Sequence, residues 1–160
     1  RDLRTIYNMK KLFEGFRKFL TESEEDRTLG KLLQLDPEHA ASFIDSLKDV
    51  YPDIERRYVD ALGVKVERLN KLYREQDIIL RRLSDERRDL NREYYRISAR
   101  DPYEASEFYN NNLDRLDNIA REMKEAAYEQ RRLFDEAREL RKIQAKFDPD
   151  IVVPFAGIKD

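Results

Sequence analysis

Every third or fourth residue from Leu62 to Ile97 falls on one stripe: Leu62, Val66, Leu69, Tyr73, Gln76, Leu80, Leu83, Arg87, Leu90, Tyr94 and Ile97. The steps alternate four and three without a break, the rhythm of a helix gripped along one seam by a second helix. A second periodic segment follows Asp101-Pro102 and carries Tyr109, Leu113, Leu116, Ala120, Met123, Ala127, Gln130, Phe134, Ala137 and Arg141 on its stripe. The chain can therefore fold back and supply its own partner. Asp101-Pro102-Tyr103-Glu104 marks the break, with an N-cap, a first-turn proline and a glutamate at the third helical position.

Laying the second stripe on the first about residue 103 predicts a register in which facing positions sum to 206 or 207. Tyr94 then meets Leu113, Leu90 meets Leu116, Leu83 meets Met123, Leu80 meets Ala127, Tyr73 meets Phe134, and Gln76 lands on Gln130. A slipped register would strand each amide against hydrocarbon at a cost of about 1–3 kcal/mol per unsatisfied group, so the glutamine pair reads as a register lock. Charge points the same way. Residues 81–100 are rich in arginine and residues 101–125 in acids, and antiparallel pairing sets the blocks side by side. Exposed pairs stabilise little and act mainly on orientation. An arm from residue 64 to 99 spans about 54 Å at the helical rise.

Ahead of this hairpin the chain is cut into short pieces. Residues 3–20 place Ile6, Met9, Phe13, Phe16 and Leu20 at heptad spacing, with Phe19 widening the apolar face and lysines on the other side. Such a helix docks on its own domain, enters a partner's groove or lies on a membrane surface. Thr21 to Glu24 has capping-box spacing and opens a short helix ending near Leu35. Asp36-Pro37 starts another, with Ala40, Phe43, Ile44 and Leu47 on one face to about Val50, and Tyr51-Pro52-Asp53 ends it. The long helix begins at Asp53 or Ile54, with a kink allowed at Gly63, and the return helix runs to about Phe147. The fold class is all-α: a short-helix cap over 1–52, an antiparallel coiled-coil hairpin over 53–147 turning near 100–103, and an extended tail over 148–160. The tail, FDPDIVVPFAGIKD from Phe147, holds Ile151, Val153 and Phe155 between two prolines, a composition suited to extended chain. It packs on its own domain or reaches into a neighbouring chain.

Chemistry finds little to build on. The only histidine, His39, has no second histidine or cysteine near it in sequence, so no metal ligand set is expected. Glycines at 15, 30, 63 and 157 form no phosphate loop, and no Ser, His and Asp grouping suggests a triad. Neither a cofactor nor an enzymatic activity is expected. A net charge of −2 leaves no global basic field, and the acids interleaved through Arg81–Arg100 disfavour nucleic acid as partner. The absence of cysteine leaves the redox compartment unread, and no apolar run reaches membrane-span length. A soluble chain is expected, in a cytoplasm or a virion. Beginning at Arg1, it reads as a processed form, a fragment or a late-starting chain.

The stretch MKKLFEGFRKFLTE, Met9 to Glu22, resembles a recurring N-terminal segment of small, mostly uncharacterised proteins of marine tailed phages. It departs from that pattern in that eight residues precede the methionine, which there opens the chain. The resemblance implies a viral structural or accessory protein and transfers no functional residue. Together these features lead to a non-enzymatic assembly component, a homo-oligomer or a subunit of a larger complex. Its expected contacts are Phe13, Phe16 and Phe19 on the helix face and Ile151, Val153 and Phe155 in the tail. The alternative is an adaptor or regulatory module that engages a protein, or RNA, at the hairpin tip through Arg96 and Arg100.

Overall fold

The computed structural model describes residues 11, 12, 14, 15, 24–156 and 158. Among them every regular element is helical: α1 over 24–34, α2 over Pro37–Leu47, α3 over Ile54–Ser98, α4 over Pro102–Phe147 and a single 3₁₀ turn at Pro149–Ile151. The all-α expectation holds, and α3 and α4 are the two long arms of a hairpin. The chain divides into two compact units, residues 1–63 and 64–160, with the division inside α3.

In the first unit, the buried apolar residues among those described are Leu32, Ala40, Ile44, Ile54, Tyr58, Val59 and Leu62. Proline at the first position of α2 follows Asp36, as the sequence predicts, although the Asp36 side chain makes no capping hydrogen bond and instead lies 3.5 Å from His39 Nδ1. α2 stops at Leu47, short of the expected Val50. The Val50 and Tyr51 amides both donate to the Leu47 carbonyl, at 3.0 and 2.7 Å, and close a tight turn before Pro52. Phe43, expected on the buried face with Ala40 and Ile44, is exposed. Across that turn Lys48 Nζ meets Glu55 Oε2 at 2.6 Å, and this pairing holds the Lys48 ammonium above its ordinary pKa. Arg57 of α3 reaches back to α1, where it hydrogen-bonds Asp26 and sits 3.2 Å from Glu25 Oε1 as an ion pair without hydrogen-bond geometry. Burial, with a smaller contribution from the Asp36 carboxylate, pushes the Tyr58 phenol up.

In the second unit the α3 seam is the predicted one except at Arg87, which is exposed. Val66, Leu69, Leu83 and Ile97 are buried, with Tyr73, Gln76, Leu80, Leu90 and Tyr94 half-buried between them. The α4 seam is the predicted one in part: Leu116, Met123, Gln130, Phe134 and Arg141 are half-buried and Ala137 is buried, but its second column lies one residue earlier than expected. Ala105, Ile119, Ala126, Leu133 and Ala137 are buried, whereas Tyr109, Leu113, Ala120 and Ala127 of the expected stripe are exposed. Seven-residue steps link Ala105, Asn112, Ile119, Ala126, Leu133 and Leu140, so α4 carries a second heptad column beside the one first read. Alanine at two of these positions gives little apolar weight in sequence but admits a facing side chain.

The register shifts with the seam. Glu86 pairs with Arg115 and Tyr94 with Tyr109, contacts that sum to 201 and 203, and the buried residues Ile97 and Ala105, Leu83 and Ile119, and Leu69 and Leu133 stand at mirror positions that sum to 202. This is about one helical turn tighter than 206 or 207. The cause is the brevity of the turn: Arg100 N and Asp101 N both donate to the Ile97 carbonyl, at 2.9 and 2.8 Å, and α4 is already helical at Pro102. Residue 103 therefore lies inside α4 and cannot be the pivot. Gln76 and Gln130 are half-buried, and this register puts Ala126, not Gln130, at the position mirroring Gln76. The two glutamines therefore do not form a register lock. The charge blocks do not pair as expected either. Arg81, Arg88 and Arg96 bond to acids of their own helix, Asp77, Asp85 and Glu93, because neighbours at three and four residues are closer than the opposite arm. Among the described residues, Arg100 alone of these arginines forms an ion pair with the acid block, at Glu104 across the turn.

Truncation distinguishes the two α4 columns. Leu133→Ala, on the buried column, should cost about 2–5 kcal/mol of unfolding free energy in urea titration. Leu113→Ala, on the exposed one, should stay within about 1 kcal/mol. Equal losses would contradict the assigned seam.

Candidate protein-interaction surfaces

Asp101 builds the tip. Its carboxylate accepts from Tyr103 N at 2.9 Å and Glu104 N at 3.3 Å, capping α4 as the sequence predicts. Tyr103 is then thrown into solvent at 89% exposure. Just below, three tyrosines run edge to face from one arm to the other. Tyr95 stacks on Tyr94 with centroids 5.5 Å apart, and Tyr94 on Tyr109 at 6.0 Å. Tyr94 is half-buried by this contact, while Tyr95 remains 70% exposed.

Arg96 and Arg100, predicted as contacts, flank these rings. Arg96 forks onto Glu93, with Nε 2.8 Å from Oε2, and its guanidinium holds the Glu93 carboxyl below the usual carboxylate range. Arg100 Nη2 lies 3.9 Å from Glu104 Oε2 across the turn. Both arginines are mostly exposed. The aromatic part of this surface was missed in sequence, although Tyr94-Tyr95 carried a signal. With Tyr94 and Ile97 on the seam, Tyr95 had to point away from it.

The tail contacts fare differently. Phe155 is 4% exposed, enclosed by Val66, Leu69, Leu133 and Ala137, with its ring edge-on to Tyr73 at 5.2 Å and to Phe134 at 6.2 Å. Val153 packs against the same cluster, and its amide and carbonyl are held by Gln144 Oε1 at 3.3 Å and Arg141 Nε at 2.8 Å. Neither side chain is the exposed contact that was expected; only Ile151, at 41%, keeps that standing. The hairpin's own apolar groove claims the ring. Phe13, Phe16 and Phe19 lie outside the described residues, as does most of Met9–Glu22.

His39, Ser42, Phe43 and Ser46 line a shallow, open depression on α2 of about 260 Å³, with no buried polar group directed into it. Among the described residues no group of three or more His, Asp or Glu side chains is placed to hold a metal, and no helix is long and apolar enough to cross a membrane.

Residues 4–128, more than half of the chain, match the family described as the E2 domain of amyloid precursor protein. The chain belongs to this family. The matched stretch takes in the hairpin tip with Tyr95, Arg96, Arg100, Tyr103 and Tyr109, and it ends within α4, before Leu133 and the tail. No curated protein and no solved structure matches the chain.

One cross-arm ion pair has a pH signature. Arg115 grips Glu86 bidentately at 2.6 and 2.5 Å, and this hydrogen bonding holds the Glu86 carboxyl below its ordinary value of 4.5. A carboxyl depressed in the folded state stabilises above its unfolded pKa, and that contribution is lost as pH falls through the lower folded value. Acid titration of helicity in low salt should therefore show Glu86→Gln losing less stability than wild type below about pH 4.5. Parallel acid limbs would mean the pair contributes nothing.

Proposed function

We propose that this chain is a non-enzymatic protein-interaction module of the amyloid precursor E2 family whose contact surface is the hairpin tip. The observation that carries this reading is the pairing of exposed tyrosine with arginine there: Tyr95 and Tyr103 project from a rigid, capped turn beside Arg96 and Arg100. Tyrosine and arginine are the residue types that dominate protein interface energetics, and their rings lose little entropy on docking. Tyr94 and Tyr109 brace the row from both arms, so the surface is preorganised. The interleaved acids Glu93 and Glu104 already partner the two arginines and favour a protein over a phosphate backbone.

The assembly-component reading used the tail and the N-terminal aromatic face as contacts. With Phe155 and Val153 enclosed by the chain's own helices, the tip is the better supported surface.

The test places a photo-cross-linking amino acid at position 103, and in a second chain at Ile78, an exposed site midway along the arm. Discrete adducts at position 103 in a native extract, lost when Arg96→Glu and Arg100→Glu are added, are the expected result. Adducts no more abundant than at position 78, or unaffected by the charge reversals, would overturn the tip as contact surface.

A further inference from the structure

The way the tail is held resembles a bound peptide more than a terminal strand of a core. α4 ends at Phe147, Asp148 accepts from Asp150 N at 3.0 Å, and the 3₁₀ turn Pro149–Ile151 sends the chain back along the hairpin in extended form. From there the tail contributes the enclosed Phe155 ring, the partly buried Val153 and Ile158 side chains packed beside it, and its main-chain groups, and the helices contribute side chains. Gln144 Oε1 accepts the Val153 amide, Arg141 Nε donates to the Val153 carbonyl, and Asn70 Oδ1 accepts the Ala156 amide at 3.0 Å. Pro154, between these anchors, has no N–H to satisfy. Phe155 enters a pocket walled by both arms, with Tyr73 and Phe134 edge-on to its ring.

These are the parts of a peptide-recognition groove: main-chain hydrogen bonds from fixed side chains supply affinity, and a deep pocket for one side chain supplies selectivity. Gln144 is the one buried polar side chain among the described residues, and its Oε1 faces the tail. A terminal segment that only covered core would need no such acceptor at 1% exposure.

We infer that the base of the hairpin is a peptide-binding site for an extended Val-Pro-Phe-Ala segment, filled in the resting chain by residues 153–156 and open to the same segment from a second copy. The covalent tether holds the tail at an effective concentration on the order of millimolar, so the resting site is self-occupied and a free segment competes only when the tail is weakened. The site is separate from the tip. Phe134, Arg141, Gln144 and the tail all lie beyond the residues matched to the E2 family.

The experiment uses the full chain carrying Phe155→Ala and a fluorescent peptide of residues 148–160, with binding read by anisotropy. The variant should bind the peptide saturably and at least about tenfold more tightly than the wild-type chain does. A peptide carrying Phe155→Ala should bind at least about 30-fold more weakly, given the scale of Phe-to-Ala losses. A variant that keeps wild-type helicity yet binds no peptide would overturn the proposal. Should Phe155→Ala reduce helicity, the same titration is run on the full chain with twelve Gly/Ser residues inserted after Asp148. That chain retains every tail contact at a lower effective concentration. Peptide binding there supports the site, and its absence overturns it.

Discussion

The close turn between Ser98 and Pro102 determines most of what this molecule presents. Two amides converge on the Ile97 carbonyl, and the Asp101 carboxylate takes up the next two free donors at the start of α4. With no slack in the connection, the arms can pair in few registers, and the seam must mirror about residue 101. From that single constraint follow the burial of Ala105 opposite Ile97, the bidentate reach of Arg115 to Glu86, and the tyrosine row that crosses the arms below the tip. The same register brings Val66 and Leu69 to Leu133 and Ala137 far down the hairpin, where the pocket for Phe155 forms.

The two surfaces of the hairpin have opposite characters. At the tip, aromatic rings are supported on one side and open to solvent on the other, a configuration suited to meeting a protein partner. At the base, an apolar groove and three polar side chains are already satisfied by the chain's own tail. A partner of the proposed kind would meet the first surface as it stands. It would have to compete for the second.

Much of the fold was legible because hydrophobic period and cap chemistry are local. Asp36-Pro37 and Asp101-Pro102 start helices where the sequence placed them, and the α3 stripe from Leu62 to Ile97 is the seam but for the exposed Arg87. The α4 seam was half legible: Leu116, Met123, Gln130 and Ala137 lie on it, but Leu113, Ala120 and Ala127 were read for the column one residue earlier, Asn112, Ile119 and Ala126, because a polar Asn112 hides that column's heptad repeat. The register error followed from placing the pivot at residue 103, inside the first turn of α4, instead of at the N-cap Asp101. Phe155 was legible as an apolar residue, but the acceptor for the amide after it was not. Asn70 lies 86 residues away in sequence, and no local pattern links it to the Ala156 amide. At the tip, arginine and tyrosine were visible as residues, while the edge-to-face row depends on a register known only from the folded chain.

The central claim is that register, and the absence of native cysteine makes it directly measurable. Full chains carrying Leu90→Cys with Asn112→Cys, or Leu90→Cys with Leu116→Cys, can be oxidised in dilute solution and the intramolecular cross-link followed with time. A disulfide forms readily only where the two α-carbons come within about 7 Å. Mirroring about residue 101 predicts rapid closure of the 90–112 pair and slow or no closure of the 90–116 pair. Faster closure of the 90–116 pair would put the arms one turn out of the described register and contradict the account.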